Sequence, residues 1–170
     1  MSQPYGNVEP ISNLMQYNPI GLIEEYAIEQ DWSADRSNEN ELWAEIPGQW
    51  GSQRLWVAFH SETGFLQLNT YMSIKIPTRH RMSVAQTITL INERVWLGHF
   101  EVWTEEQVPV FRVVLPLRGT TLHEEQLNDI MTSIHEETER FFPALQWVVW
   151  GGKTPEEAIA AAIVETEGEA

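Results

Sequence analysis

The sequence contains no cysteine, and this absence excludes several kinds of site at once. Disulfide bridges, thiolate nucleophiles and cysteine-based zinc sites are all impossible in this chain. Basic residues are also scarce, since 10 Lys and Arg stand against 25 Asp and Glu and leave a formal net charge of −15. Such a charge opposes binding to polyanionic nucleic acid and to anionic membrane surfaces. We therefore expect neither nucleic acid nor a membrane among the partners.

Long apolar runs are missing as well. No window approaches the roughly 18 consecutive apolar residues that a membrane-spanning helix needs. Residues 1–20 lack the basic start and the apolar core of a secretory signal. The sequence therefore predicts a cytoplasmic protein.

The motifs of common catalytic sites do not occur. There is no nucleophile elbow, no phosphate-binding loop and no dinucleotide fingerprint. Five histidines are present, but His123 and His135 lie about three helical turns apart on one predicted helix, too far to bind one ion. We therefore predict no catalytic residue, no metal site and no cofactor, which makes the chain a non-enzyme.

What the sequence does contain is enough apolar material for one core. Hydrophobic residues make up 42% of the 170 residues, a proportion typical of globular domains. Proline, glycine and asparagine without a sustained period mark residues 1–17 as a flexible N-terminal arm. We expect one α+β domain over 18–152, followed over 153–170 by a capped helix and an acidic tail.

The periodicity of the domain alternates between helix and strand. A helix is expected from Asn18 and Pro19, and alternating apolar residues predict strands over 42–46, 54–60 and 66–76. A helix capped by Ser83, strands near 99–104 and 108–116, and a helix from about Thr121 follow, and Pro143 must end or kink this last helix. This order predicts an antiparallel β-sheet with packed helices.

The C-terminal segment carries a specific helix-start signal. Thr154, Pro155 and Glu157 form a capping box with proline at the first helical position. A helix this short is marginal alone in water, so it must dock on something. Ile159 and Ile163 are the predicted docking residues, either onto the same domain or onto a twin subunit.

One face of the predicted sheet is unusually aromatic. If Leu42, Leu55 and Leu66 point toward the helices, strand alternation sends other side chains to the opposite face. These candidate partner-binding residues are Trp43, Trp56, Phe65, Tyr71 and Trp103, with the charged residues Arg54 and Arg112. Tyrosine and tryptophan mixed with charged groups are typical of protein-binding patches. Alternatively, the N-terminal arm or the C-terminal tail of the same chain covers these rings.

The second half contains several distinctive short segments. They are LINE at 90–93, WLGHFE at 96–101, VFR at 110–112, LPL at 115–117, EQL at 125–127, ERFFPAL at 139–145 and WGGKTPEEA at 150–158. In this order they resemble the YbjN family of small bacterial proteins. The resemblance spans about 18–166 and implies a type III secretion chaperone-like fold. It also implies a regulator of sensory transduction or stress responses without catalytic residues.

These observations support two hypotheses about function. The first is a non-catalytic protein-binding module, a chaperone-like or regulatory adaptor in a sensory or stress pathway, that holds a peptide segment of another protein. The sequence leaves open whether this module is a homodimer. The alternative is a regulatory domain that senses a small molecule in a pocket between the sheet and the helices.

Overall fold

The computed structural model describes residues 17–167, and the side chains up to Val164. In chain order the elements are α1 (Ile20–Glu29), β1 (Ser33–Asn38), β2 (Glu41–Ile46), β3 (Gln53–His60), β4 (Phe65–Tyr71), a short 3-10 helix (Thr78–His80), α2 (Arg81–Asn92), β5 (His99–Trp103), β6 (Val108–Pro116), α3 (Glu124–Val149) and α4 (Pro155–Glu167). None of the helices in this described part is both long and apolar enough to cross a membrane.

The strands form one antiparallel sheet in the order β1-β2-β3-β4-β6-β5. The predicted α+β class, an antiparallel sheet with packed helices, is therefore confirmed. The resemblance to secretion chaperones stays a prediction.

The inner face of the sheet forms the core together with the helices. One row crosses all six strands in register, and its members are Ala34, Ala44, Leu55, Thr70, Phe111 and Phe100. The Phe100 ring contacts Phe111 at 4.7 Å and Phe141 of α3 at 6.0 Å between centroids. All three phenylalanines are fully buried, so these rings join the sheet to the long helix.

The loop between β2 and β3 is attached to α3. The Glu139 carboxylate accepts hydrogen bonds from the Gln49 backbone N–H at 3.1 Å and from Gln53 Nε2 at 3.2 Å. Trp50 stacks on Phe142 with nearly parallel rings. Any side chain at Gly48 would collide with the same carboxylate. This anchoring holds the β2–β3 hairpin, and with it the aromatic side chains of both strands.

Helix α4 begins as the capping box predicts. Glu157 N–H donates to Thr154 Oγ1 at 3.3 Å, and the Glu157 carboxylate accepts from the Thr154 N–H at 3.0 Å. The helix packs against α2 and α3. Ile159 is buried in the core, and Ile163 packs against the same core while partly exposed.

Four local predictions need correction. Strand β1 was not anticipated, because all of its residues are exposed and it shows no apolar alternation. The strand predicted over 66–76 ends at Tyr71, since Met72 and Ile76 bond only intermittently to the β5–β6 side. Ser83 is not a helix cap, because it lies inside α2 and donates back to the His80 carbonyl. Of the two outcomes predicted at Pro143, an end or a kink, the end is wrong, because helix α3 continues to Val149.

The N-terminal end of the described chain makes specific contacts. Tyr17, which the prediction assigned to the flexible arm, donates its hydroxyl to the Leu122 carbonyl at 2.7 Å. Asn18 Oδ1 accepts from the Ile20 N–H at 2.9 Å and so supports the start of α1. The remainder of the predicted arm, 1–16, lies outside the described residues.

Candidate functional site: the outer face of the sheet

The outer face of the sheet is the surface that points away from the core. In register across all six strands, one row of this face contains Asp35, Trp43, Trp56, Asn69, Arg112 and His99. The adjacent row contains Ser33, Glu45, Arg54, Tyr71, Val110 and Glu101. Large aromatic side chains and both charge signs therefore share one continuous surface.

Four of the predicted aromatic residues are in mutual contact. Trp43 lies between Trp56, at 6.4 Å, and Tyr71, at 5.6 Å between ring centroids. Tyr71 meets Trp103 edge to face at 5.2 Å. The three tryptophans are half-buried, and Tyr71 is only 7% exposed. We call these four residues the aromatic cluster.

Arg54 covers the centre of the aromatic cluster. Its guanidinium carbon lies 5.6 Å from the Trp43 ring centroid and 5.5 Å from that of Tyr71, within the range of cation–π attraction. The side chain is exposed. Within residues 17–167, Arg54 makes no side-chain hydrogen bond or ion pair. Its five N–H donors therefore remain available to an acceptor on a partner.

Arg112 lies at the other end of the aromatic cluster, and its guanidinium is held by an ion pair. Its Nη2 forms an ion pair with Glu101 Oε1 at 2.8 Å, and its guanidinium lies 5.8 Å from the Trp103 ring. Glu101 also accepts a hydrogen bond from Trp103 Nε1. The sequence left open whether Arg112 pairs with an acid or faces a partner; on this face it does pair, with Glu101.

Tyr71 has an altered ionisation. Burial raises the pKa of its hydroxyl, and hydrogen bonding to Asn69 and the charges of Arg54 and Arg112 lower it in part. Since the pKa stays above the usual value, the hydroxyl is protonated over the physiological range. Tyr71 is therefore a neutral hydrogen-bonding group within the aromatic cluster and not a base.

Phe65 is separate from the aromatic cluster. It lies on the outer face at the opposite end of β4, beside His60 and Pro116, and is 42% exposed. In the described part of the chain it makes no ring contact with the other four aromatic residues. The structure therefore brings together four of the five aromatic candidates with both arginines, and leaves Phe65 apart.

Two open clefts border the aromatic cluster. One, of about 410 Å³, is lined by Arg54, Tyr71, Glu45 and Lys75 together with the irregular segment 72–74. The other, of about 280 Å³, lies along β1 and β2 between Ser33, Asp35, Trp43, Glu45 and Arg54. Arg54 and Glu45 line both clefts, so these two neighbouring residues of opposite charge lie between them.

Within residues 17–167, no group of three or more potential metal ligands is close enough to hold an ion. Glu137, on α3, is a carboxylate with an altered pKa. Its pKa is raised by burial, and the charge of Arg140 opposes this shift. A single carboxylate on a helix does not form an acid–base pair, so it suggests no chemistry.

The family comparison covers the segments noted in the sequence up to 145, and the segment at 150–158 lies beyond it. A family model described as "Putative bacterial sensory transduction regulator", named YbjN, matches residues 19–147. The chain belongs to the YbjN family. No curated protein matches it. The matched range of this YbjN protein includes the entire sheet and most of α3, and ends before α4.

Three residues important to the outer face or its edge were not among the predicted site residues. Asn69 is fully buried between Trp56 and Arg112, and Glu101 binds both Arg112 and Trp103. Asn92 binds the β5 backbone. Strand alternation placed Asn69 and Glu101 on this face, but their partners depend on the strand order, which alternation does not supply.

Proposed function

We propose that this YbjN-family protein is a non-catalytic regulator that acts by binding another protein through the aromatic cluster and Arg54. The observation that supports the proposal is the set of contacts among Trp43, Trp56, Tyr71 and Trp103 on a sheet face that lies away from the helices. Tyrosine, tryptophan and arginine are the residues that dominate the energy of protein interfaces.

The charges around the aromatic cluster favour a protein over a nucleic acid as partner. Stacking alone would also suit single-stranded nucleic acid, which needs a basic groove in addition. Here the face combines Arg54 and Arg112 with Asp35, Glu45 and Glu101, and the whole chain carries a net charge of −15. A polyanion gains little on such a surface, whereas a protein segment with mixed polarity suits it.

The rigidity of the aromatic cluster also favours binding. Trp43 and Tyr71 are held by neighbouring rings and by the Arg54 side chain. Side chains that are ordered before binding lose less entropy when a partner arrives. The free donors of Arg54 supply a polar contact at the centre of the same surface.

The proposal is tested by site-specific photocrosslinking in the bacterium that encodes the protein. A photoreactive amino acid replaces Trp56 in one variant and Trp96, which is 99% exposed and lies outside the sheet, in the control. We expect a discrete protein adduct at position 56 that is absent at position 96. The adduct should weaken when Arg54→Ala is added. Equal adduct patterns at the two positions would overturn the proposal.

Binding of a small molecule is the second candidate. The cleft of about 410 Å³ beside Arg54 and Tyr71 has the size of a ligand site. It lies on the outer face and not between the sheet and the helices, as the alternative hypothesis had placed it. A metabolite that raises the melting temperature of the wild type, but not that of Arg54→Ala, would favour this candidate.

A further inference from the structure

The two edges of the sheet differ in their free hydrogen-bonding capacity. At the β5 edge, Asn92 Oδ1 accepts from the Phe100 N–H at 2.8 Å, and Asn92 Nδ2 donates to the Phe100 carbonyl at 3.0 Å. This side-chain amide takes the place that a neighbouring strand would occupy. Helix α2 packs against β5 and helix α1 against β1, so the difference between the edges lies in their hydrogen bonds. The β5 edge is therefore closed to an added strand at its centre.

The β1 edge is open. All six of its residues are exposed, and Ser33–Arg36 pair in regular register with β2 alone. Within residues 17–167, no helix, loop or side chain forms a hydrogen bond to the opposite side of this four-residue stretch. An edge with free N–H and C=O groups is a template for strand addition.

The surroundings of the β1 edge are acidic. Between 31 and 46 the acidic residues are Asp31, Asp35, Glu39, Glu41 and Glu45, and Arg36 is the single basic residue. Arg36 is already neutralised by Glu24 of α1 at 3.1 Å. Charge complementarity therefore favours an added strand with lysine or arginine side chains.

A second copy of this chain fits the β1 edge poorly. If the β1 strands of two copies pair antiparallel in one continuous sheet, a twofold axis perpendicular to the sheet relates the copies. Two residues that lie opposite each other then have their side chains on the same face of the sheet. Over the stretch 33–36 the two longest registers are centred on Ala34 or on Asp35. The second places Asp35 against Asp35 of the other copy, and both bring two acidic edges together. Like charges directly opposite each other destabilise strand pairing.

We propose that the β1 edge binds an extended, basic segment of a partner protein by strand addition. The inference rests on the proposed function in taking the partner to be a protein. Its backbone contacts are on β1, although the cleft beside them is also lined by Trp43 and Arg54. The added strand pairs with the backbone of Ser33–Arg36, and its lysine or arginine side chains on the outer face meet Asp35 and Glu45, which line the cleft of about 280 Å³.

The inference is tested with the full chain and three synthetic nine-residue peptides. The first alternates lysine with valine, the second replaces every lysine with glutamate, and the third is the lysine peptide with two adjacent central prolines, which remove N–H groups on both of its edges. We expect the lysine peptide to bind at least about tenfold more tightly than the other two, because the glutamate peptide meets like charges and the proline peptide loses backbone hydrogen bonds. Hydrogen exchange of amides 33–37 should slow when it binds.

Two matched charge reversals localise the effect. Asp35→Lys is expected to weaken the lysine peptide and to favour the glutamate peptide. Asp129→Lys changes the net charge equally on an exposed position of α3 and should leave both affinities nearly unchanged. Trp56→Ala should leave the affinity for the lysine peptide nearly unchanged. The aromatic-cluster proposal and this one can therefore fail independently of each other.

Several outcomes would overturn the inference. Equal binding of the lysine and proline peptides would show attraction by charge without strand pairing, and no binding would show an edge whose charges only prevent aggregation. Protection of amides 33–37 in the free protein that rises with concentration would identify a second copy as the occupant. Protection independent of concentration would identify another part of this chain.

Discussion

The two faces of the single sheet are built from the same strands but have opposite chemistry. In β4, Leu66, Leu68 and Thr70 lie in the core, whereas Gln67, Asn69 and Tyr71 alternate with them on the outer face. The inner face is joined to helices by apolar contact, and the outer face is held by ring contacts and the Arg112–Glu101 ion pair. We infer that the inner face supplies the stability of the fold, which leaves the outer face available for binding.

The largest expected effect comes from truncating an inner-face ring and an outer-face ring in parallel. Phe111→Ala should lower the free energy of unfolding by about 3–5 kcal/mol, as is usual for a fully buried phenylalanine. Trp43→Ala should cost about 1–2 kcal/mol, because Trp43 is only half-buried and water fills the space. Urea unfolding measures both, and equal losses would contradict the difference between the faces.

Removal of α4 tests the helical layer over the inner face. A chain ending at Lys153 loses the buried residues Ala158, Ile159 and Ala162. Burial of an isoleucine contributes about 1.5–3 kcal/mol, so the truncated chain should lose about 2–4 kcal/mol in total. The double variant Ile159→Ala, Ile163→Ala should reproduce most of the loss. An unchanged melting curve would show that α4 does not contribute to the core.

A smaller effect is expected at the edge of the sheet. Asn92→Ala removes both hydrogen bonds to Phe100 and should destabilise the fold by about 1–3 kcal/mol. Thermal unfolding measures the loss, and Thr89→Ala, on the exposed side of the same helix, is the control. If the Phe100 amide then exchanges no faster than in the wild type, the Asn92 side chain is not what protects the β5 edge.

The smallest expected effect is a pH dependence. Burial raises the pKa of Glu137 above its ordinary value of 4.5, in spite of the nearby Arg140. The folded chain then holds this proton more tightly than the unfolded chain, so the contribution of Glu137 to stability falls as the pH rises from 4.5 through the folded pKa. Glu137→Gln should therefore help the fold more at pH 7 than at pH 4.

Melting temperatures of the wild type and of Glu137→Gln at both pH values measure this difference. Asp129→Asn, at an exposed position of the same helix, is the control. The explanation fails if Glu137→Gln changes the melting temperature equally at pH 4 and pH 7.

The outcome for individual elements shows which signals were reliable. Strands β2, β5 and β6 and the start of α4 matched their predictions because alternation and capping are local patterns. Strand β1 was not predicted, because a strand at the edge of a sheet needs no apolar face and all of its residues are exposed. Pro143 looked like a helix end, but it lies fully within the core, where packing of its neighbours offsets the lost hydrogen bond.

The candidate site shows the same division. Alternation alone placed Trp43, Trp56, Tyr71 and Trp103 on the face opposite to Leu42 and Leu55. Phe65 satisfied the same rule, yet it lies at the far end of its strand from the other rings. The position of a residue along a strand relative to its neighbours is set by register, which local sequence does not specify.

The sequence by itself determined the alternation of the strands, the capping box of α4 and the acidic charge, because each depends on residues close together in the chain or on composition alone. Only the tertiary structure decided the order β1-β2-β3-β4-β6-β5, which places Arg112 beside Asn69 and Glu101 beside Val110. It also decided that Asn92 closes one edge while β1 leaves the other open. These pairings join residues distant in sequence, and their free energy arises only when the whole sheet has formed.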